Sequence, residues 1–220
     1  MLEEKIQPSQ PYRCVLEMFS VLKALNPTLE FVGRLFNTSN FEYYLKQVQD
    51  FIAGKCAFCP PDPAQNNILE HLSSPLWMVW VNKVAARPGQ DYQLIIVPRR
   101  HVLHYTELNT KEIIDLFDVL RAVINEFKFT GYSLVIRSGD PAHHAGSIAH
   151  LHVNVHHANG SGKLEVTLGK SEADLNSKLP VLLVWEKMRL NLASGHHRHD
   201  GLTPEEMELI KPKDKKPKAS

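Results

Sequence analysis

Histidine is concentrated in one short segment of this 220-residue sequence. Six of the 12 histidines lie between His143 and His157. Side chains of a β-strand alternate between its two faces, so one face of this segment carries nitrogen-bearing side chains about 7 Å apart, namely those of His150, His152, Asn154 and His156. The other face is apolar, with Leu151, Val153 and Val155. Neutral imidazole is a nucleophile near pH 7. The pattern therefore predicts either a nucleophilic site or an amphipathic edge strand whose outer face is rich in histidine.

Two of the three cysteines, Cys56 and Cys59, form a C-x-x-C pair. Such a pair opens many zinc sites and also thioredoxin-like redox sites, but no thioredoxin-like context surrounds this one. The third, Cys14, lies among apolar residues and is expected to be a small buried hydrophobe. Three cysteines in a chain without an export signal do not indicate a disulfide framework. The pair therefore favours a metal site.

The composition is that of a globular protein and excludes several functional classes. Hydrophobic residues make up 43% of the chain and charged residues 22%, while 25 Lys and Arg balance 24 Asp and Glu. A net charge of +1 provides no overall basic field, so no nucleic-acid partner is expected despite a Lys-rich end, Lys211–Lys218. No apolar run approaches the ~18 residues of a membrane helix. Met1–Gln10 is too polar for a signal peptide, so we expect a cytoplasmic protein with no membrane partner.

Hydrophobic periodicity and breaking residues predict the elements that must position these groups. Helices are predicted at Tyr12–Leu25, Phe41–Ile52, Thr110–Phe127 (capped by Asn109 or Thr110) and, as a buried helix, Pro180–Leu192. Strands are predicted at Ile68–Leu72, Leu76–Val81, Tyr92–Val97, Tyr132–Ile136, Ala149–Val155 and Leu164–Leu168. The fold class is therefore α+β, with an antiparallel sheet and one long crossing helix.

These elements divide the chain into four parts. We expect an N-terminal helical extension over 1–54, a catalytic domain over 55–160, a C-terminal extension over 161–195 that packs on the domain, and a polar, disordered tail over 196–220.

The segment around the histidines resembles the signature of the histidine triad (HIT) superfamily, His-x-His-x-His-x-x preceded by a Gly-x-Ser/Thr turn. Three upstream elements agree in order and spacing: the knuckle Cys56–Cys59, the strand, Pro-Gly turn and strand from Trp80 to Val97, and the "Pro-basic-x-His" element Pro98–His101. The resemblance extends from Cys56 to His157, about half of the chain, and covers neither end.

The resemblance implies an α+β fold, commonly a homodimer, that binds a small-molecule nucleotide. His152 matches the middle histidine, which attacks the α-phosphate of a phosphoanhydride, such as a dinucleoside polyphosphate or a nucleotide sugar, and forms a nucleotidyl-histidine intermediate. Water or another acceptor then takes the nucleotidyl group. Ser147 matches the phosphate-contacting hydroxyl, with the backbone amides of Gly146 and Ser147 available for an anion. Asn82 matches the residue that contacts the ribose, and Phe58 the apolar residue beside the base.

The third triad position departs from the family pattern because it is Asn154. Asparagine cannot be a general acid, but its amide can donate a hydrogen bond to a phosphate or leaving-group oxygen. Galactose-1-phosphate uridylyltransferases and dinucleoside tetraphosphate phosphorylases carry the amide Gln there, which favours transfer over simple hydrolysis. The alternative is an impaired triad, that is, a non-catalytic zinc-containing module that binds nucleotide without turning it over.

The resemblance also implies how the metal site is completed. In a subset of HIT proteins the C-x-x-C pair is joined by the histidine of the "Pro-basic-x-His" element and by the first triad histidine. Those positions are Cys56, Cys59, His101 and His150 in this sequence. The expected cofactor is a structural zinc ion that fixes the knuckle to the strand carrying the nucleophile.

Overall fold

The computed structural model describes residues 11–59, 67–82 and 89–211. These residues form a four-stranded antiparallel sheet of β1 (Trp77–Val81), β2 (Gln90–Pro98), β3 (Ser133–Arg137) and β4 (His152–Ala158). The order is β1-β2-β4-β3, so β4 lies in the interior of the sheet, paired on both sides. The predicted α+β architecture is confirmed.

One long helix, α4 (Thr110–Phe127), covers one face of the sheet with the limits that the sequence predicts. Its Leu116, Val119, Leu120 and Val123 recur at helical spacing and pack against the apolar residues of β2 and β4. A reciprocal capping box between Asn109 and Glu112 opens the helix, and Lys128 ends it in the left-handed conformation with a φ of 52°. This helix fixes which face of β4 is left for chemistry.

A separate helical layer is built from both ends of the chain. It contains α1 (Arg13–Val21), α2 (Leu29–Leu35), α3 (Phe41–Ile52), α5 (Glu172–Ala193) and α6 (Pro204–Ile210). Buried residues of α1, α2, α3 and α5 share one apolar core. The predicted α3 is confirmed. The first predicted helix is interrupted at Leu22 and continues as a short 3₁₀ turn, Lys23–Leu25.

Two helices differ from prediction in the C-terminal part. α5 begins at Glu172, eight residues before Pro180, because Ser171 and Asp174 form a capping box and because Leu175 and Leu179 are already buried. Pro180 lies inside this helix. The sequence predicts that the helix begins at this residue, because proline has no N–H to donate. The structure also places α6, capped by Thr203, in the segment expected to be a disordered tail. Residues 212–220 lie outside the described residues, as does the N-terminal stretch 1–10.

Three predicted strands need correction. Residues 68–72 form one bridge, Ile68 to Trp80, followed by a 3₁₀ turn. Residues 164–168 belong to no strand. β4 begins at His152 rather than Ala149, because continuing its register past Val153–Ile96 would place Pro98, which has no N–H to donate, opposite Leu151.

No helix among the described residues is long and apolar enough to cross a membrane.

Candidate active site and metal centre

The predicted alternation of β4 is confirmed. Val153 and Val155 point to the core beneath α4, and Leu151 just before the strand joins them. His152, Asn154 and His156 share the opposite face and are only 4–6% exposed. An edge strand would carry such side chains on its solvated outer face, but here they are enclosed within the protein. The histidine-rich face is therefore an interior polar surface.

His152 is held as a neutral imidazole with one free nitrogen. Its Nδ1–H donates to the backbone carbonyl of His150, with 2.8 Å between Nδ1 and O. This bond fixes the tautomer, so the lone pair lies on Nε2. Burial, with a smaller contribution from the charge of Arg137, lowers the pKa of His152 to about 4. At neutral pH the ring is therefore uncharged and keeps its Nε2 lone pair, as a nucleophile must.

Arg137 is a site residue that the sequence reasoning left without a role. It is the residue directly opposite His152 in the pairing of β3 with β4, and opposed residues of antiparallel strands point to the same face. Its Nη2 donates to the carbonyl of Thr167 at 2.9 Å, which anchors the guanidinium at one end. The structure thus puts a permanent positive charge beside the predicted nucleophile.

Asn154 is oriented by a partner on β2. Its Oδ1 accepts a hydrogen bond from Nε2 of Gln93 at 2.8 Å, and its Nδ2 lies 3.5 Å from the carbonyl oxygen of Val135. The Gln93 bond occupies the amide oxygen of Asn154 and leaves Nδ2 as the group that can donate to a ligand. Gln93 Oε1 is buried and has no hydrogen-bond partner within the described parts of the chain. The face that carries the triad positions therefore offers both a donor and an acceptor.

The loop before β4 is tied to the helical layer. Nδ2 of Asn37 lies 2.8 Å from the carbonyl oxygens of Pro141 and of Gly146. The hydroxyl of Tyr43 on α3 lies 2.6 Å from Oγ of Ser147, the predicted phosphate-binding hydroxyl. The N-terminal extension therefore positions the loop of the site and brings a phenol to its edge.

The predicted anion-binding amide at Gly146 needs correction. Its N–H donates to Nδ1 of His144 at 3.0 Å, so it already has a partner. A side chain at this position would meet the His144 ring at 2.7 Å and the side chain of Arg137 at 3.1 Å. Glycine is thus required because the backbone passes close to both residues.

The two residues assigned to the nucleoside lie in the cysteine knuckle and at the end of β1. Phe58 is 9% exposed and packs edge-on against Trp80 at 5.0 Å and against His152 at 5.6 Å between ring centroids. Asn82 directly follows β1, is half-buried, and donates its backbone N–H to Gln93 at 2.8 Å. Phe58 is thus in ring contact with the predicted nucleophile.

The four predicted metal ligands come together. The ligand atoms of Cys56, Cys59, His101 and His150 all lie within 4.8 Å of one another, and no other such group is found in the described part of the chain. Nδ1 of His150 lies 3.1 Å from Sγ of Cys59 and 3.5 Å from Sγ of Cys56, and Nδ1 of His101 lies 3.5 Å from Sγ of Cys59. Zinc bonds of about 2.3 Å to sulfur and 2.0 Å to nitrogen in a tetrahedron give separations of this size.

The hydrogen bonds around this cluster suit a metal. Nε2 of His150 lies 3.0 Å from the carbonyl oxygen of Pro98, to which its N–H donates, so the lone pair is on Nδ1, which faces the cysteines. Hydrogen bonding from Cys59 lowers the pKa of the Cys56 thiol, whereas the pKa of Cys59 is raised because it shares its proton with that thiolate. The donor set of two sulfurs and two nitrogens fits zinc and fills all four of its positions.

Comparison with protein-family models finds no match, and comparison with curated proteins finds none either. Similar solved structures include a Zn-bound histidine triad family protein from Mycobacterium smegmatis, with 15% identity over 59% of this chain and 96% of that chain and a TM-score of 0.41. A histidine triad nucleotide-binding protein from Candida albicans has 15% identity over 64% and 99%, with a TM-score of 0.40. A Plasmodium falciparum diadenosine triphosphate hydrolase has 18% identity over 50% and 70%, with a TM-score of 0.33.

The first two are histidine triad proteins, the superfamily whose motifs this sequence resembles. All three TM-scores are below 0.5.

Proposed function

We propose that this chain is a histidine-triad-type enzyme, a nucleotidyl hydrolase or transferase that acts on a nucleoside phosphoanhydride, with its catalytic domain over 55–160. One observation carries the proposal: a buried, neutral His152 has its Nδ1 committed to the carbonyl of His150 and a guanidinium, that of Arg137, opposite it. A dinucleoside polyphosphate or a nucleotide sugar is the substrate class.

In the first step, Nε2 of His152 attacks the α-phosphorus. A P–N bond forms, the bond from phosphorus to the bridging oxygen breaks, and the electron pair leaves with that oxygen. Arg137 and Nδ2 of Asn154 supply positive charge and a hydrogen bond to the oxygens that gain charge. In the second step, an oxygen of water or phosphate attacks the same phosphorus, the P–N bond breaks and its electron pair returns to Nε2 of His152. When water is the acceptor, its surplus proton passes to the solvent.

A zinc ion would contribute to this function by holding the nucleophile in place. Cys56, Cys59, His101 and His150 would fill its four positions and leave none for substrate, so its part would be structural. His150 is both a ligand and the residue whose carbonyl orients His152. Metal binding and nucleophile orientation therefore depend on one residue.

A homodimer is the proposed assembly, and β3 is its proposed interface. This strand is at the edge of the described sheet, with Leu134 40% and Ile136 47% exposed. An exposed apolar edge strand pairs readily with a second strand. Pairing with β3 of a second copy would cover both side chains.

A non-catalytic nucleotide-binding module is the second candidate. Asn154 favours it, because an amide held by Gln93 provides no proton for a leaving group. Under this proposal nucleotide binds without turnover, and Asn154→His is the variant in which turnover would be restored.

A turnover screen tests both candidates. The zinc-loaded chain is incubated with dinucleoside polyphosphates and nucleotide sugars, with and without inorganic phosphate. The covalent intermediate is sought by mass spectrometry of reactions that are quenched without acid. We expect a nucleotidyl adduct on His152 and turnover that His152→Ala abolishes, whereas His71→Ala, an exposed histidine distant in sequence, retains it. Full activity of His152→Ala would refute the nucleophile, and binding without turnover in the native chain would favour the module.

A further inference from the structure

A cleft of about 410 Å³ opens between the helical layer and the metal centre. Its lining includes Phe31 and Arg34 of α2, Phe51 and Lys55, and the metal ligands Cys56, Cys59 and His101. None of His152, Asn154, Ser147 or Arg137 is among its lining residues. This volume lies within the range of small-molecule sites. We call it the Arg34 cleft.

Arg34 is a buried cation with no hydrogen-bonded anionic partner among the described residues. Its residue surface is 8% exposed, and its guanidinium makes no hydrogen bond or ion pair with the described residues. Its Nε is buried and unpartnered, and Cζ lies 4.9 Å from the centroid of the Phe31 ring. Burial lowers the pKa of this side chain, which reflects the cost of removing its charge from water. Charges enclosed in proteins are normally paired and hydrogen-bonded.

Among the described residues that line the cleft, the charged side chains leave a positive excess. Glu30 precedes Arg34 by one helical turn and also lines the cleft; its charge and that of Cys56 attract Arg34, but neither makes an ion pair or hydrogen bond with the guanidinium. Lys55 adds a second cation at the exposed rim. A zinc ion held by two thiolates and two neutral imidazoles has no net charge. One negative charge on a ligand would therefore balance the cleft.

The walls also suit the organic part of a ligand. Phe31 and Phe51 stack with their ring centroids 4.0 Å apart and their planes 15° apart, which makes one side of the cleft aromatic. Such a wall buries a ring or a hydrocarbon chain, while a guanidinium pairs with a phosphate or carboxylate through two parallel hydrogen bonds.

We infer that the Arg34 cleft binds a small organic anion of up to about nucleotide size, whose phosphate or carboxylate group pairs with Arg34 and whose apolar part lies against Phe31 and Phe51. This site is separate from the proposed nucleotidyl-transfer site, because none of His152, Asn154, Ser147 and Arg137 lines the cleft, although three metal ligands do.

Calorimetry and thermal unfolding of the zinc-loaded full chain test the inference. The probes are inorganic phosphate, adenosine monophosphate and benzoate, with uncharged adenosine as the control. Arg34→Met removes the charge and keeps the apolar stem, and Arg121→Met is the matched control, since Arg121 is exposed on α4 and pairs with Asp118. We expect at least one of these anions to bind the native chain and Arg121→Met at one site per chain. Arg34→Met should bind the same anion at least about tenfold more weakly.

The variant has a second expected signature. Without any anion, Arg34→Met should unfold about 2–4 °C higher than the native chain, because an unpaired buried charge is replaced by an apolar group. Whether phosphate, nucleotide or benzoate binds most tightly identifies the anionic group and shows whether a ring contributes.

The inference is overturned if no anion binds, or if Arg34→Met binds as many anions per chain as the native chain with the same affinity. It is also overturned if His152→Ala, rather than Arg34→Met, loses the binding, because the anion is then bound at the transfer site. If Arg34→Met fails to fold, Arg34→Lys replaces it as the test variant. This variant keeps the charge and loses the forked guanidinium, so an unchanged affinity for the anion would also overturn the assignment.

Discussion

Arg137 lies directly opposite His152 in the pairing of β3 with β4, so the two side chains share one face of the sheet. The same arginine approaches the Gly146 backbone and is anchored on the carbonyl of Thr167. A fixed cation thus lies where a nucleophilic histidine would form a bond to phosphorus.

Replacing Arg137 tests this placement. Under the proposed function, Arg137→Met should lower kcat/KM about 10²- to 10³-fold, because charge on the phosphoryl oxygens loses a preorganised partner. It should also move the pKa of His152 upward, since the charge of Arg137 is one of the factors that lower it. Steady-state kinetics and NMR titration of the His152 ring measure the two effects. Unchanged activity together with an unchanged titration would remove Arg137 from the site.

Removing zinc should destabilise the chain. We expect about one zinc ion per chain and a Tm about 10 °C lower after chelation, because a ligand bound only by the folded state stabilises it. Cys59→Ser should reproduce the loss, whereas Cys14→Ala, at a buried cysteine outside the cluster, should keep its zinc. Metal analysis and thermal unfolding are the measurements. Absence of metal in protein purified without chelator would contradict the expectation.

Asn37 should be important for activity although it lies in the helical layer. Asn37→Ala leaves the carbonyls of Pro141 and Gly146 without their donor, which should cost about 1–3 kcal/mol of stability and loosen the loop that carries Ser147. Asn125→Ala, on the exposed side of α4, is the control. Urea unfolding and turnover should both be impaired only in Asn37→Ala, and equal behaviour of the two variants would contradict the proposed role of the loop.

The Glu112–Arg100 pair predicts a pH-dependent stability. Nε and Nη2 of Arg100 donate to the two carboxylate oxygens of Glu112 at 2.6 and 2.9 Å, and this lowers the pKa of Glu112. A carboxyl group with a lowered folded-state pKa stabilises the fold above its unfolded pKa of about 4.3, and this stabilisation is lost as the pH falls through the folded value. Glu112→Gln should therefore be about 1–2 kcal/mol less stable at pH 7, and this difference should shrink as the pH falls through the folded-state pKa of Glu112. A difference that does not shrink as the pH is lowered would show that the charge is not its source.

The edge of β3 should set the oligomeric state. Ile136→Lys places a charge on an exposed apolar position of this strand, and it should convert a dimer to a monomer while leaving the helical content unchanged. Light scattering after size exclusion measures the mass, and Ile114→Lys, at an exposed position on α4, serves as the comparison. A native chain that is monomeric at high concentration would contradict the proposed dimer.

Features that depend on neighbours along the chain were predictable from the sequence. The limits of α3 and α4 follow from apolar spacing and local caps, and the two faces of β4 follow from the alternation of its residues. The Cys56, Cys59, His101 and His150 cluster was also anticipated, through the order and spacing of motifs that resemble the histidine triad superfamily. The seven-residue helix α2 is too short to show a clear period, and Pro180 is a strong breaking signal that burial of Leu179 and Leu182 in the helical core overrides.

Only the tertiary structure decided which side chains meet. Alternation assigns His152 to a face but leaves the register of β3 open, so the position of Arg137 opposite it could not be derived. Asn37 bonds to a loop that lies about 100 residues further along the chain. Arg34, whose Nε has no partner among the described residues, belongs to an element that faces the metal cluster. Periodicity reports the nearest few residues, whereas such contacts depend on how whole layers pack, because packing alone brings distant segments within hydrogen-bonding distance.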